Sequence, residues 1–116
     1  MNLLEYQEKA NYFAVYPDRD KIRDGSIIGL AYITLGLCGE AGEFSEKIKK
    51  VIRDHNNKID EAKRELLLYE LGDVLWYISQ AAFELNSDLE KVAELNIKKL
   101  SNRADRNLIK GEGDSR

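Results

Sequence analysis

Two stretches of helical apolar spacing, separated by one polar run, constrain this chain more than anything else in it. Ile33, Leu37, Ala41, Phe44, Ile48 and Val51 recur every three or four residues until "DHNNKID" interrupts them. Leu67, Leu71, Val74, Ile78 and Leu85 then resume the same period, predicting a helix over about 61–85. Two long helices joined by so short a polar run must fold back on each other as an antiparallel hairpin.

The flanks follow the same period. Leu3, Tyr6, Ala10 and Phe13 predict a short first helix over 3–14, and the polar connector "VYPDRDKIRDG", with the sole proline Pro17, ends it. "NSDLEK" offers Ser87 as an N-cap with Glu90 three residues on, which predicts a fourth helix over 88–102. No stretch alternates as a strand would. The expected class is all-α, resembling a four-helix bundle with antiparallel helices: one helical domain over 1–103, then a polar tail over 104–116 that reads as a disordered end. A chain of 116 residues leaves about a third of its unfolded surface exposed after folding, so oligomerisation is expected to complete the core.

Composition excludes several roles. A formal charge of -3 argues against holding nucleic acid through a basic surface. No run approaches the roughly 18 apolar residues of a membrane span. The single cysteine, Cys38, cannot form an internal disulfide and reads as a small packing residue, and the first residues lack the apolar core of a signal peptide, so a cytoplasmic location is expected.

Within the hairpin, "LCGEAGEFSEKIKK" accepts Gly39 and Gly42 in a helix, each costing about 1 kcal/mol against alanine, and places Glu40 and Glu43 one turn apart. Glu70 and Asp73 in "YELGDVLWYI" repeat the acidic spacing. If the hairpin turns at Asn56 and Asn57, Glu40 is level with Asp73 and Glu43 with Glu70. At about 100° per residue, both pairs border the apolar stripe of their helix. Four carboxylates meeting beside an apolar floor repel one another unless a cation lies among them. An all-oxygen set without cysteine or histidine selects a hard ion, Mg²⁺ or alternatively Mn²⁺, able to neutralise phosphate oxygens and activate water.

Positive charge for an anionic ligand has two sources. Lys47 lies on the acidic stripe, and Asn96, Lys99 and Arg103 share one face of the fourth helix. Gly36 lies beside the acids and would leave room for a ligand, whereas Gly39 and Gly42 would admit a close backbone approach. Tyr77 falls on the acidic stripe, as pocket lining or packed edge. Trp76 points away from the hairpin and suggests a subunit contact. Gln7, Tyr6 and Asn11 would touch a base or pack the helices, and His55 lies in the loop. Taken singly, each acid pair would be an ordinary solvated helix face, and Lys99 and Arg103 an ordinary charge bias at a helix end.

"GEAGEFSEKIKK", "ELGDVLWYI" and "NIKKLSNR" together resemble the MazG-like branch of the all-α nucleoside triphosphate pyrophosphohydrolases, which includes the dimeric dUTPases. The likeness covers about 30–103, with "EYQ" near the start a weaker match. It implies the MazG fold and cleavage between the α and β phosphates of a nucleoside triphosphate, yielding monophosphate and pyrophosphate, as in nucleotide-pool cleaning. It further implies Glu40, Glu43, Glu70 and Asp73 as metal ligands and catalytic groups, and Lys47, Asn96, Lys99 and Arg103 as contacts to phosphate or sugar. A homodimer or homotetramer follows from the same resemblance. Many members have a doubled acid, E-E-x-x-E, where this chain has Gly39 before Glu40. The water-activating base is therefore open, with Glu46 a candidate.

Other classes are a non-catalytic helical interaction module and a regulatory domain that binds nucleotide or metal without turnover. A di-iron carboxylate bundle wants Glu-x-x-His pairs, and the only histidine is His55.

Overall fold

The computed structural model describes residues 1–106. Among the described residues four helices make up the fold: α1 (Leu3–Asn11), α2 (Ile28–Asp54), α3 (Glu61–Glu84) and α4 (Leu89–Asp105), with one 3₁₀ turn at Ile22–Asp24 between α1 and α2. No strand occurs among the described residues. The class expected from the sequence is the class observed.

Side-chain caps set three of the four starts. Asn2 accepts from the Glu5 amide at 2.9 Å, Asp60 from Lys63 at 2.9 Å and Asp88 from Lys91 at 2.8 Å, each satisfying an amide that has no partner inside its helix. The cap of α4 is therefore Asp88, one residue beyond the expected Ser87, and α4 runs on to Asp105, past the expected limit of 102. Most of the polar tail over 104–116 lies outside the described residues. α1 is shorter than its apolar spacing suggests: it ends at Asn11, and Phe13 is 67% exposed.

The hairpin forms as expected, α2 antiparallel to α3, and the turn falls at Asn56 and Asn57, both left-handed at φ 53° and 61°. Asparagine tolerates that region better than most residues. Gly36 lies opposite Tyr77: a β-carbon on Gly36 would come within 2.1 Å of the Tyr77 ring. The glycine makes room for a side chain of the same protein, not for a ligand. A β-carbon on Gly39 or Gly42 would meet nothing within 4 Å, so neither admits a close approach within this chain.

The buried apolar set is small: Ile33, Val51 and Leu67 in the hairpin, with Ala10, Tyr16, Ala82 and Leu89 where α1 and α4 join it. α1 is fastened by polar bonds. The buried Gln7 donates to the Ser79 carbonyl at 3.0 Å and accepts from the Leu89 amide at 2.7 Å, and Gln80 donates to the Asn11 side chain at 2.9 Å. Trp76 donates to the Ala10 carbonyl at 3.1 Å. Trp76 thus packs on α1 within the chain, which corrects its expected place away from the intrachain core, and it stays partly exposed. The bonds made to α3 fall on residues 76–80, so the half of α3 before them packs on α2 without them, and Leu71 is 47% exposed. Leu85, expected in the apolar stripe, ends α3 and is 64% exposed.

The connector between α1 and α2 is built around one buried acid. Glu84 accepts from the Tyr16 hydroxyl at 2.6 Å and the Asp20 amide at 3.1 Å. Arg19 lies over the Phe83 ring at 3.9 Å, and Tyr16 stacks on Tyr32. Gly29 is required here, because a β-carbon would lie 2.6 Å from the Asp18 carbonyl oxygen and 2.9 Å from Glu84.

Candidate metal centre

Hairpin register decides which acids meet. Glu40 of α2 and Glu70 and Asp73 of α3 each offer a carboxylate oxygen, and these oxygens all lie within 4.8 Å of one another, a group that one ion can touch. Glu40 and Glu70 are half-buried and Asp73 is exposed. Glu43, one turn farther along α2, is exposed and lies outside this group. Its charge is nevertheless felt at Glu40 and Lys47. The four level carboxylates expected from the sequence are thus three that converge and one beside them.

Crowding has an electrostatic signature. Partial burial, and then the charges of Asp73, Glu70 and Glu43, hold the Glu40 carboxyl above the usual carboxylate range. The donors are all oxygens and carry excess negative charge, which fits a hard divalent cation. Part of that charge is answered from within the chain: Lys47 Nζ lies 2.8 Å from Glu70 Oε1. The hydrogen bond to Glu70, with the charges of Glu70, Glu43 and Glu40, raises the Lys47 pKa against the opposing effect of desolvation. Expected to reach a phosphate, Lys47 is bonded to a candidate metal ligand.

Aromatic side chains bound the acids. Tyr77 is half-buried against Gly36, and burial, followed by the proximity of Tyr32, Glu40 and Asp73, raises its pKa. Tyr6 of α1 is raised by burial and by Asp73. Toward the hairpin turn, Lys47 also lines a cavity of about 190 Å³ floored by Val51, Leu66 and Leu67 and rimmed by Lys50, Lys63 and His55. Sequence reading missed this rim. Lys50 lies one turn after Lys47, and Lys63 lies across the turn from it, so the hairpin register contained the signal.

Other expected site residues are placed as follows. Asn96 and Lys99 are exposed on α4, which packs on α1 and α3, and Arg103 of the same helix is buried. Gln7 has both ends of its amide engaged in holding α1, a packing role. Glu46 pairs with Lys49 at 2.9 Å and with Lys50 at 3.8 Å, and the Lys49 bond lowers its pKa, which disfavours it as a base. His55 and Cys38 are exposed, the latter against its expected packing role. No helix among the described residues is long and apolar enough to cross a membrane.

Comparison with known proteins decides what this arrangement belongs to. Residues 30–107, which include all but the first two residues of α2 and the whole of α3 and α4, match the profile of the MazG nucleotide pyrophosphohydrolase domain. The chain belongs to this family. It is also 45% identical over 111 residues to the Gene 37 protein of Mycobacterium phage L5, covering 96% of each chain. No solved structure matches it. As a MazG domain the chain falls in a family of metal-dependent enzymes acting on nucleotides, and the acid group on its hairpin is a possible metal site.

Proposed function

We propose that this MazG domain hydrolyses nucleoside or deoxynucleoside triphosphates, in the presence of Mg²⁺ or Mn²⁺, to monophosphate and pyrophosphate, and so clears unwanted nucleotides from the cytoplasmic pool. The observation that carries this reading is the convergence of Glu40, Glu70 and Asp73 within 4.8 Å inside the segment that matches the family. Glu40, Glu70 and Asp73 would hold the ion, with Glu43 the remaining acid of the set. Once bound, the ion would neutralise phosphate oxygens and lower the pKa of water.

The chain's own groups supply the rest. Water adds to the α-phosphorus and the bond to the bridging oxygen breaks, releasing pyrophosphate, while an ionised carboxylate at the site takes the proton from the water. Lys47, Lys50 and Lys63 give the hairpin a cationic rim for the phosphate tail, and Asn96, Lys99 and Arg103 of α4 are the further contacts to phosphate or sugar that the family resemblance implies. Tyr77 and Tyr6 flank the acids and limit the space open to the sugar and base. A homodimer or homotetramer covers the apolar side chains that one chain leaves exposed.

The test is a panel of nucleoside and deoxynucleoside triphosphates incubated with the protein and Mg²⁺. Pyrophosphate is the expected product, with no orthophosphate at early times, and triphosphates left intact would end the enzymatic reading. A non-catalytic module would show neither turnover nor saturable binding of Mg²⁺ with a nonhydrolysable nucleotide.

A further inference from the structure

The acidic group meets a cation of its own chain. Lys47 reaches from α2 to Glu70 on α3 at 2.8 Å, and its partner carboxylate is only 14% exposed. Glu70 is also one of the three acids whose oxygens one ion can touch. An ammonium and a divalent ion on the same carboxylate repel each other at close range. Three carboxylates carry three negative charges, of which one lysine answers one, so a divalent ion is the stronger claimant. The lysine has a flexible four-carbon stem and already lines the cavity on the hairpin's cationic rim. Displaced, it has a place to go on the side proposed for the phosphate tail.

We infer that Lys47 is an exchangeable counter-ion: it neutralises Glu70 until a divalent metal displaces it, and the freed ammonium then serves the anionic ligand. Metal and phosphate binding are thereby coupled through one side chain, and each favours the other. This rests on the metal-dependent reading above.

The experiment titrates the full chain with Mg²⁺ by calorimetry, with and without inorganic pyrophosphate, alongside thermal melts. Lys47→Met is expected to bind Mg²⁺ about fivefold more tightly than wild type when no anion is present, since the ion no longer competes with an ammonium. Pyrophosphate should tighten Mg²⁺ binding in wild type more than in Lys47→Met. The variant should melt below wild type without metal and level with it at saturating Mg²⁺. Lys47→Arg keeps the charge and should stay within about twofold of wild-type affinity, and Lys49→Met, which removes an exposed charge two residues along α2, should do the same. Equal Mg²⁺ affinity in Lys47→Met and wild type, an equal melting gap with and without the ion, or an equal effect of Lys49→Met would each overturn the inference alone. Absence of Mg²⁺ binding by wild type would overturn the metal-dependent reading, and this inference with it.

Discussion

Glu40 and Glu43 look equivalent in the sequence, and the fold separates them. One is half-buried against Glu70 and Asp73, while the other is exposed on the next turn. Glu70→Gln is therefore expected to weaken Mg²⁺ binding tenfold or more, on the order of the factor seen when a metal site loses supporting groups, and Glu43→Gln by clearly less. Calorimetric titration of both variants checks the order, and equal losses would restore the four-acid site that the spacing suggests. Crowding also has a pH consequence. The Glu40 pKa is raised in the folded chain, so the folded state holds that proton more tightly than the unfolded state does. Without metal, stability should therefore fall as pH rises from about 4.3 through the raised value. Glu40→Gln should flatten that fall and raise the metal-free melting temperature at pH 7, while weakening the ion site. The acids and their spacing were legible in the sequence, but the partner of Lys47 was not. Angular position put Lys47 on the right stripe, yet a side chain with four rotatable bonds reaches either a ligand's phosphate or a carboxylate across the hairpin.

At the scale of elements, the hairpin register was readable because two acid pairs and one polar turn define it together. The starts of α1, α3 and α4 lie within a residue of those expected from apolar spacing and, for α4 alone, a capping signal, and α1 ended early, since apolar spacing does not show where the backbone turns away. Gly36 shows a subtler limit: sequence placed it beside the acids correctly, but only packing reveals that Tyr77 fills the space. Gly36→Ala should destabilise the protein by about 1–3 kcal/mol through overpacking, despite alanine's better helix propensity. In a Tyr77→Ala background the same change should cost nothing or stabilise by up to about 1 kcal/mol. Urea unfolding of the four proteins measures this coupling, and an additive result would mean that the ring and the glycine do not meet. The connector was the least legible element. Glu84 and Tyr16 are 68 positions apart and no local pattern joins them, yet Glu84 answers both the Tyr16 hydroxyl and the Asp20 amide. Glu84→Leu leaves the buried Tyr16 hydroxyl and the part-buried Asp20 amide without that acceptor and should cost about 1–3 kcal/mol, read as a lower urea midpoint.

Across the whole molecule, one chain does not finish its own core. Ile33, Val51 and Leu67 are buried in the hairpin, but Leu35, Ile52, Leu66 and Tyr69 on the same two helices are each more than half exposed. The Cα radius of gyration is 17.1 Å, against about 13 Å for a compact domain of this length. Exposed apolar surface on that scale marks contacts with other chains more often than a free face. On α2, Leu35, Gly39 and Gly42 share a side at i, i+4 and i+7, and both glycines are open to space, so another helix could approach its backbone closely there. The small size of the chain and the helix-weakening glycines are the sequence marks of that exposed surface, but they set no copy number, because copy number depends on how whole faces fit. Leu35→Glu puts a charge on that side without disturbing Ile33 or the acids. If copies associate through it, the variant should sediment as a monomer at micromolar concentration where wild type sediments as a dimer or tetramer. Its melting temperature should also lose the dependence on protein concentration that association gives wild type. An unchanged sedimentation profile would place the contact on another face of the hairpin, and a wild-type monomer at every concentration would mean that the open side of α2 stays in water.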